Sequence, residues 1–228
     1  MVGASLTARP QLLKETFMKL HCFPFSTYTR KVLLACYETG FPIEQNWIFK
    51  GDKNPNPLGK VPFLEPKVGA GVPEATTILE YLALKSPDTV GTLFPKKPDQ
   101  ASLARRLDRL SDLYLLDTFF ALAFEDEEKE MKTRRNGWVK ETVANLEGQL
   151  EKSEGPFLLG ENVTWADLGP SVGLNYLTRF GVSLSGWPRV VSWLNAMRGR
   201  SSWKQITKDS RIAASKYPGP PWEKFVDL

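Results

Sequence analysis

Along the first ninety residues the apolar positions change period several times. Leu20, Cys22 and Pro24 fall on alternate positions, which predicts a strand over 20–25. The cluster Ser26-Thr27-Tyr28-Thr29 is rich in helix-capping residues. From Thr29 onward Val32, Leu33 and Cys36 take up helical spacing, until Gly40 and Pro42 stop it. Ile43, Trp47 and Phe49 predict a second strand, so that 20–49 reads as a strand–helix–strand unit of the kind that favours parallel pairing. A further short apolar run, 61–64, predicts a strand with a proline near its start. After Gly69, Gly71 and Pro73 a helix is predicted over 74–85, with Ile78, Tyr81 and Leu82 turned inward.

Beyond residue 98 the pattern is helical throughout. Leu103, Leu107, Leu110 and Tyr114 open a long helix, and Val139, Val143, Leu146 and Leu150 form a second stripe that ends before Gly155-Pro156. Thr164, with Asp167 three residues on and Val163 and Leu168 in staple positions, predicts a capped helix start whose role is folding. Short helices are expected near 188–199 and 201–208, then an extended tail whose Trp222 and Phe225 dock on the body. The stretch 87–98, proline-bearing and without period, divides an α/β unit at 18–86 from an all-helical unit at 99–228. Residues 1–17 carry little pattern and read as a loosely held extension.

Composition narrows the chemistry. Thirty basic and 26 acidic residues leave a formal net charge of +4. The densest basic pairs, Arg105-Arg106 and Arg134-Arg135, lie in helices with acids nearby, so a solvated face is expected and no nucleic-acid partner. One histidine, His21, and two cysteines, Cys22 and Cys36, are too few for a multi-ligand zinc site or a disulfide framework, so no metal is expected. No membrane span or signal peptide is predicted, and a reducing cytoplasm is the expected compartment.

The most informative run is Asn56-Pro57-Leu58-Gly59-Lys60-Val61-Pro62-Phe63-Leu64. A proline in a short strand is awkward for a sheet ladder because it has no N–H to donate. A cis Val61–Pro62 bond would turn the Val61 carbonyl and amide outward, where they can pair with another extended peptide.

That run, with Glu74 opening a helix that reads Ile78-Leu79-Glu80-Tyr81-Leu82, resembles the glutathione-binding domain of cytosolic glutathione transferases. Phe157-Leu158-Leu159-Gly160-Glu161-Asn162-Val163-Thr164-Trp165-Ala166-Asp167 is similar to the capping segment of that family's helical domain, and Leu93-Phe94-Pro95 to its linker. The resemblance covers about 18–210. It implies a thioredoxin-like α/β N-terminal domain followed by an all-α C-terminal domain, glutathione as co-substrate, a small hydrophobic electrophile as second substrate, and a homodimer. Ser26 matches the position of the serine that activates the thiol, with Tyr28 and Thr29 as alternates. The Val61 backbone, flanked by Lys60 and Pro62, matches the partner of the cysteinyl unit, and Glu74 the acid at the γ-glutamyl end. Lys50 or Lys53 is expected to meet the glycyl carboxylate. Tyr114, Phe119, Phe120 and Phe124 are candidates to line the electrophile cleft, opposite Tyr28. Asp108 and Asp112 are candidates for a neighbouring glutathione's amine.

Two departures bear on binding. Ala75 stands where a serine or threonine is usual, and Thr76 and Thr77 point about 100° and 200° away around the helix. The segment 50–56 is short, so the domain's second helix is expected to be trimmed or absent. These favour two alternatives to a transferase: a non-catalytic binding or assembly module on the same fold, and a glutathione-dependent isomerase or dehalogenase.

Overall fold

The computed structural model describes residues 18–124 and 128–216. The 1–17 extension and the tail with Trp222 and Phe225 lie outside the described residues. Strand β1 (Lys19–Cys22), helix α1 (Thr27–Thr39) and strand β2 (Glu44–Trp47) form the expected crossover unit. β1 and β2 are parallel, with Lys19 opposite Glu44 and Cys22 opposite Trp47. Gly40 ends α1 at φ 69°, a left-handed conformation that glycine adopts without a Cβ clash, and its N–H returns to the Cys36 carbonyl. β3 (Phe63–Glu65) and β4 (Val72–Pro73) complete a sheet of order β2-β1-β3-β4, antiparallel from β1 outward. α2 (Ala75–Lys85) follows. No helix forms over 48–62, as the short 50–56 segment implied.

Three strands differ in bounds from the sequence expectation and β4 is not anticipated by it: β2 is limited to Glu44–Trp47, so Phe49 lies beyond it. β1 stops at Cys22 because the chain turns at once: the Ser26 N–H donates to the Phe23 carbonyl at 2.9 Å. β3 begins at Phe63, since Pro62 has no N–H for the ladder.

The helical half begins with a 3-10 turn, Val90–Leu93, and continues through α3 (Pro98–Ser111), a π turn (Asp112–Leu116), α4 (Asp117–Phe124), α5 (Lys129–Lys152), α6 (Trp165–Arg179), α7 (Pro188–Gly199) and α8 (Ser201–Lys216). The long helix expected from Leu103 is thus interrupted, and α8 runs well past 208. Its buried stripe passes through Asp209 and Ser210 before Ala213, and those polar residues conceal the helical pattern in the sequence. α6 is the central helix, buried without a break from Trp165 to Leu177. It approaches closely because Gly173 carries no side chain; a Cβ there would lie 2.7 Å from the Leu115 Cβ. The two halves meet where α1 packs on α6 and α8.

Asp167 holds the start of α6. Its Oδ2 accepts the Thr164 N–H at 2.8 Å, while its Oδ1 accepts the Leu158 N–H and the Trp193 indole N–H, each at 2.9 Å. Burial pushes this carboxyl up from its ordinary range against the pull of those bonds. Asp167→Asn keeps the shape, but with its oxygen on Leu158 and Trp193 those two bonds become neutral, while its Nδ2–H2 faces the Thr164 N–H and the third bond is lost. It is expected to lower stability by about 1.5–3 kcal/mol, read from the urea midpoint.

Candidate functional site

The sheet register brings three separated segments to one end. His21 pairs with Phe63 and Phe63 with Pro73. One step further lie the exit of β1 toward Ser26, the Val61–Pro62 peptide, and Glu74. The Val61–Pro62 bond is cis. This is the carboxyl end of the parallel pair, where open α/β sheets bind ligands.

Ser26 is the N-cap of α1. Its Oγ accepts the Thr29 N–H at 3.3 Å and its carbonyl accepts the Arg30 N–H at 2.9 Å. Ahead of that ladder, the N–H groups of Thr27 and Tyr28 belong to the first turn, which has no intrahelical acceptors. Ser26 remains half-buried, with its hydroxyl proton available to a ligand. The turn is braced from both sides. The Thr29 hydroxyl accepts the Phe23 N–H at 3.3 Å. Arg30 Nε donates to the Pro24 carbonyl at 3.1 Å, and the Tyr176 hydroxyl donates to the Phe25 carbonyl at 3.0 Å. Arg30 is itself buried, bonded to Ser210 and held 5.0 Å over the Tyr176 ring. Helices of the second half therefore fix the position of the Ser26 turn.

Tyr28 points to the helical half, donating to the Asp112 carbonyl at 3.3 Å. Burial, followed by the nearby Asp112 charge, pushes its phenol up, so it stays a protonated donor. Neither cysteine is activated. Both are buried free thiols, and burial pushes Cys36 up to about 12 and Cys22 higher still.

The loop before Pro62 is held by two asparagines that sequence reasoning assigned no role. Asn54 and Asn56 both donate side-chain N–H groups to the Lys60 carbonyl, at 3.3 and 2.8 Å. Asn56 Oδ1 also accepts the Leu58 N–H at 3.0 Å, an Asx turn that the Asn-Pro-Leu-Gly run could have signalled. Lys50, Lys53 and Lys60 are exposed. Lys60 reaches across to the helical half, its Nζ 5.9 Å from the Phe120 ring centroid.

At the start of α2, Glu74 has φ 66°, a region sparsely populated by residues with a side chain, at a cost of about 1–3 kcal/mol. Its side chain is exposed, whereas Ala75 is buried. Thr76 does not replace the missing hydroxyl. It accepts from Lys31 Nζ at 2.8 Å and donates to Asp108 Oδ2 at 2.7 Å. Lys31, fully buried, also contacts Asp108 Oδ1 at 2.5 Å and Asp112 Oδ1 at 2.9 Å. Burial raises the Asp108 carboxyl, with Lys31 opposing and Asp112 adding to the rise. Asp108 and Asp112 are thus turned onto Lys31, a residue the sequence marked only as part of a helix.

The cleft candidates separate. Phe120 is exposed beside Lys60, and Tyr114 is half-buried, its ring 5.7 Å from Trp138. Phe124 lies on the outer side of α4, 5.1 Å from Phe120. Phe119 is not at a cleft wall. It is 3% exposed and packs edge-on to Tyr176 at 4.6 Å and to Phe180 at 5.4 Å. Volume does not locate this site: a cavity of ≈ 610 Å³ lies in the helical half, lined by Leu122, Val139, Phe180 and Trp187 and by none of the candidate site residues. Among the described residues no cluster of three or more His, Cys, Asp or Glu could hold a metal ion, and no helix is long and apolar enough to cross a membrane.

Against this geometry, residues 20–89 match the glutathione S-transferase N-terminal domain and residues 114–205 the glutathione S-transferase C-terminal domain. The chain is similar to a maleylacetoacetate isomerase of Dictyostelium discoideum, 28% identical over 59% of this chain and 63% of that protein. The alignment thus spans less than two thirds of that relative. A glutathione transferase from Methylococcus capsulatus superposes with a TM-score of 0.74 at 26% identity, covering 84% of this chain and 98% of that one. A glutathione S-transferase from Methylobacterium radiotolerans, solved with glutathione sulfonate, superposes at 0.73 with 27% identity, covering 84% and 94%.

Proposed function

The chain belongs to the glutathione S-transferase family, and from that premise we propose that it takes glutathione as co-substrate and activates its thiol at the N-terminus of α1 for attack on a small hydrophobic electrophile. The Ser26 turn carries this reading: a capping hydroxyl and first-turn amides stand at the same end of the sheet as the cis Val61–Pro62 peptide and Glu74. A free thiol near pH 7 is only a few per cent thiolate, and lowering its pKa by about two units requires about 2.7 kcal/mol. A helix N-terminus supplies up to ~2 kcal/mol and one charge-assisted hydrogen bond about 1.5–3 kcal/mol. The two suffice without a base or a metal.

In this reading the Ser26 hydroxyl donates to the glutathione sulfur, and the thiol proton passes to solvent. The thiolate lone pair forms the new carbon–sulfur bond while the electrophile's leaving group departs or its π bond accepts the electrons. The Val61 backbone pairs with the cysteinyl unit, Glu74 meets the γ-glutamyl ammonium, and Lys50 or Lys53 screens the glycyl carboxylate. Tyr28, Tyr114 and Phe120 receive the electrophile between the halves, divided at 87–98. The working unit in this reading is a homodimer.

Calorimetric titration with glutathione, run beside the thiolate ultraviolet signal across pH, tests the proposal. Binding with a lowered thiol pKa is expected; no binding at millimolar glutathione would refute it. Ala75→Ser, which restores a hydroxyl at the start of α2, is expected to tighten glutathione binding about tenfold in the same titration.

The similarity to a maleylacetoacetate isomerase favours a second reading, glutathione-dependent isomerisation. There the thiolate adds to an alkene carbon, the resulting single bond rotates, and the thiolate is expelled. Glutathione is regenerated in that case, so product formation without thiol consumption distinguishes it from transfer.

A further inference from the structure

The two ends of the proposed glutathione site are held unequally. The Ser26 turn at the start of α1 is braced by the Thr29 hydroxyl, by Arg30 and by Tyr176. The start of α2 has no such frame. Glu74 occupies its N-cap position without a side-chain capping bond, Ala75 has no polar side-chain atom, and Thr77 is exposed. Among the described residues, Thr76 is the one side chain of that first turn hydrogen-bonded to the rest of the fold. Two residues before it, Glu74 holds a φ of 66°, a conformation that persists only where the surroundings enforce it.

The Thr76 hydroxyl is engaged on both sides. It accepts from Lys31 Nζ at 2.8 Å and donates to Asp108 Oδ2 at 2.7 Å, with Asp112 Oδ2 at 3.1 Å. Lys31 belongs to α1, the helix that Ser26 caps, whereas Asp108 lies in α3 and Asp112 opens the π turn. One hydroxyl therefore ties the first turn of α2 to the helix presenting Ser26 and to the helical half. The ammonium can only donate, so the hydroxyl directs its single proton to the carboxylate. Both bonds involve a charged partner, which strengthens them. The side chains of Lys31 and Asp108 are fully buried, so water does not compete for either bond.

We propose that Thr76 is a positioning residue that fixes the placement of Glu74 relative to Ser26, and so sets the affinity for the γ-glutamyl end of glutathione without acting on the thiol. The inference rests on the glutathione reading above. Its content lies in the asymmetry of the two ends. Loss of the Thr76 hydroxyl frees a helix start that no other polar side chain holds, while the Ser26 turn keeps its three braces. Affinity and thiol activation are therefore expected to respond separately.

The test compares Thr76→Val, Thr76→Ser and Ser202→Ala in the full chain. Calorimetric titration with glutathione, turnover at saturating glutathione, and amide hydrogen exchange are measured on each. Thr76→Val is expected to weaken glutathione binding, and to raise its KM, by about tenfold or more, while kcat stays within about twofold of the parent. Without ligand, exchange in the first turn of α2 is expected to quicken by about tenfold or more, read at the Ile78 N–H that bonds the Glu74 carbonyl at 2.8 Å. Exchange in the first turn of α1 should not change. Thr76→Ser keeps the hydroxyl and should match the parent in all three measurements. Ser202→Ala removes a bond to Glu38 near the far end of α1, so it should lower the melting temperature and leave glutathione affinity unchanged. Thr76→Ala, which leaves room for a water beside Lys31, provides the same comparison if the valine variant does not fold. A variant that melts earlier yet keeps the parent's affinity would make Thr76 merely structural and overturn the proposal, as would a loss of kcat equal to the loss of affinity. A parent that binds no glutathione would refute the glutathione reading and the role in affinity with it. Unchanged exchange in α2 overturns the positioning role whether or not glutathione binds.

Discussion

Lys31→Met is expected to destabilise the protein by about 3–5 kcal/mol, the cost of removing one partner from a buried ion cluster. Lys31 crosses from α1 to α3 and the π turn, satisfying its three donors on Thr76, Asp108 and Asp112. The side chains of Lys31 and Asp108 are fully buried and that of Asp112 is 12% exposed, so methionine would strand two carboxylates with almost no water. The loss is read from the urea midpoint at neutral pH. Its pH dependence has a definite sign. Asp108 is held above the ordinary carboxylate range by burial, so the folded state binds its proton more tightly than the unfolded state does. Stability therefore falls as pH rises from the unfolded carboxylate pKa through the folded one. Removing Lys31 widens that window, and the deficit of the variant is expected to be smallest in acid and largest near neutrality. Adding Asp108→Asn to Lys31→Met should recover part of the loss; simple addition of two penalties would show that the cluster is not coupled.

Ser26→Ala is expected to lower turnover with a test electrophile by about 10- to 150-fold, the equivalent of one hydrogen bond of about 1.5–3 kcal/mol to a charged sulfur. The thiol pKa of bound glutathione should rise in parallel, while the affinity for glutathione at pH values where the thiol is protonated stays unchanged. Ser26 also caps α1, and alanine removes that bond at a cost of about 0.5–2 kcal/mol. Ser26→Gly separates the roles, because glycine at an N-cap costs only a few tenths of a kcal/mol and still lacks the hydroxyl. Both variants should lose turnover equally and differ in stability. Unchanged turnover in both would transfer the thiol-contacting role to Tyr28, tested by Tyr28→Phe. The phenol of Tyr28 already donates to the Asp112 carbonyl, an acceptor that the π turn directs toward α1.

These two residues stand at opposite ends of what can be read from sequence. Ser26 is legible because capping chemistry is local: a serine before an apolar 3.6-residue repeat has one conformational use, and the structure has it there. Thr164 and Asp167 are legible for the same reason, since cap and acid are separated by a single turn. Lys31 is not. Its neighbours Val32 and Leu33 mark a buried face, but nothing nearby discloses that its charge ends on Asp108 and Asp112, far along the chain in another helix. Phe119 and Phe120 make the same point within one dipeptide. Both are aromatic on an apolar helix, yet one packs on Tyr176 and Phe180 and the other stands in solvent beside Lys60. The extension of α8 past 208 is not legible in the sequence because Asp209 and Ser210 occupy its buried face, each satisfied by a partner from α1.

By itself the sequence determined the strand–helix–strand start, the helical second half, the caps at Ser26 and Thr164, the cis-capable run at 56–64 and the substitution at Ala75, all consequences of interactions within a few residues. Only the tertiary structure decided which charges are buried, what holds the Ser26 turn, and which aromatics are packed away from solvent. The division has a physical cause. Capping and periodicity are short-range and repeat in the chain, whereas desolvation and charge pairing depend on which surfaces meet after the halves have packed.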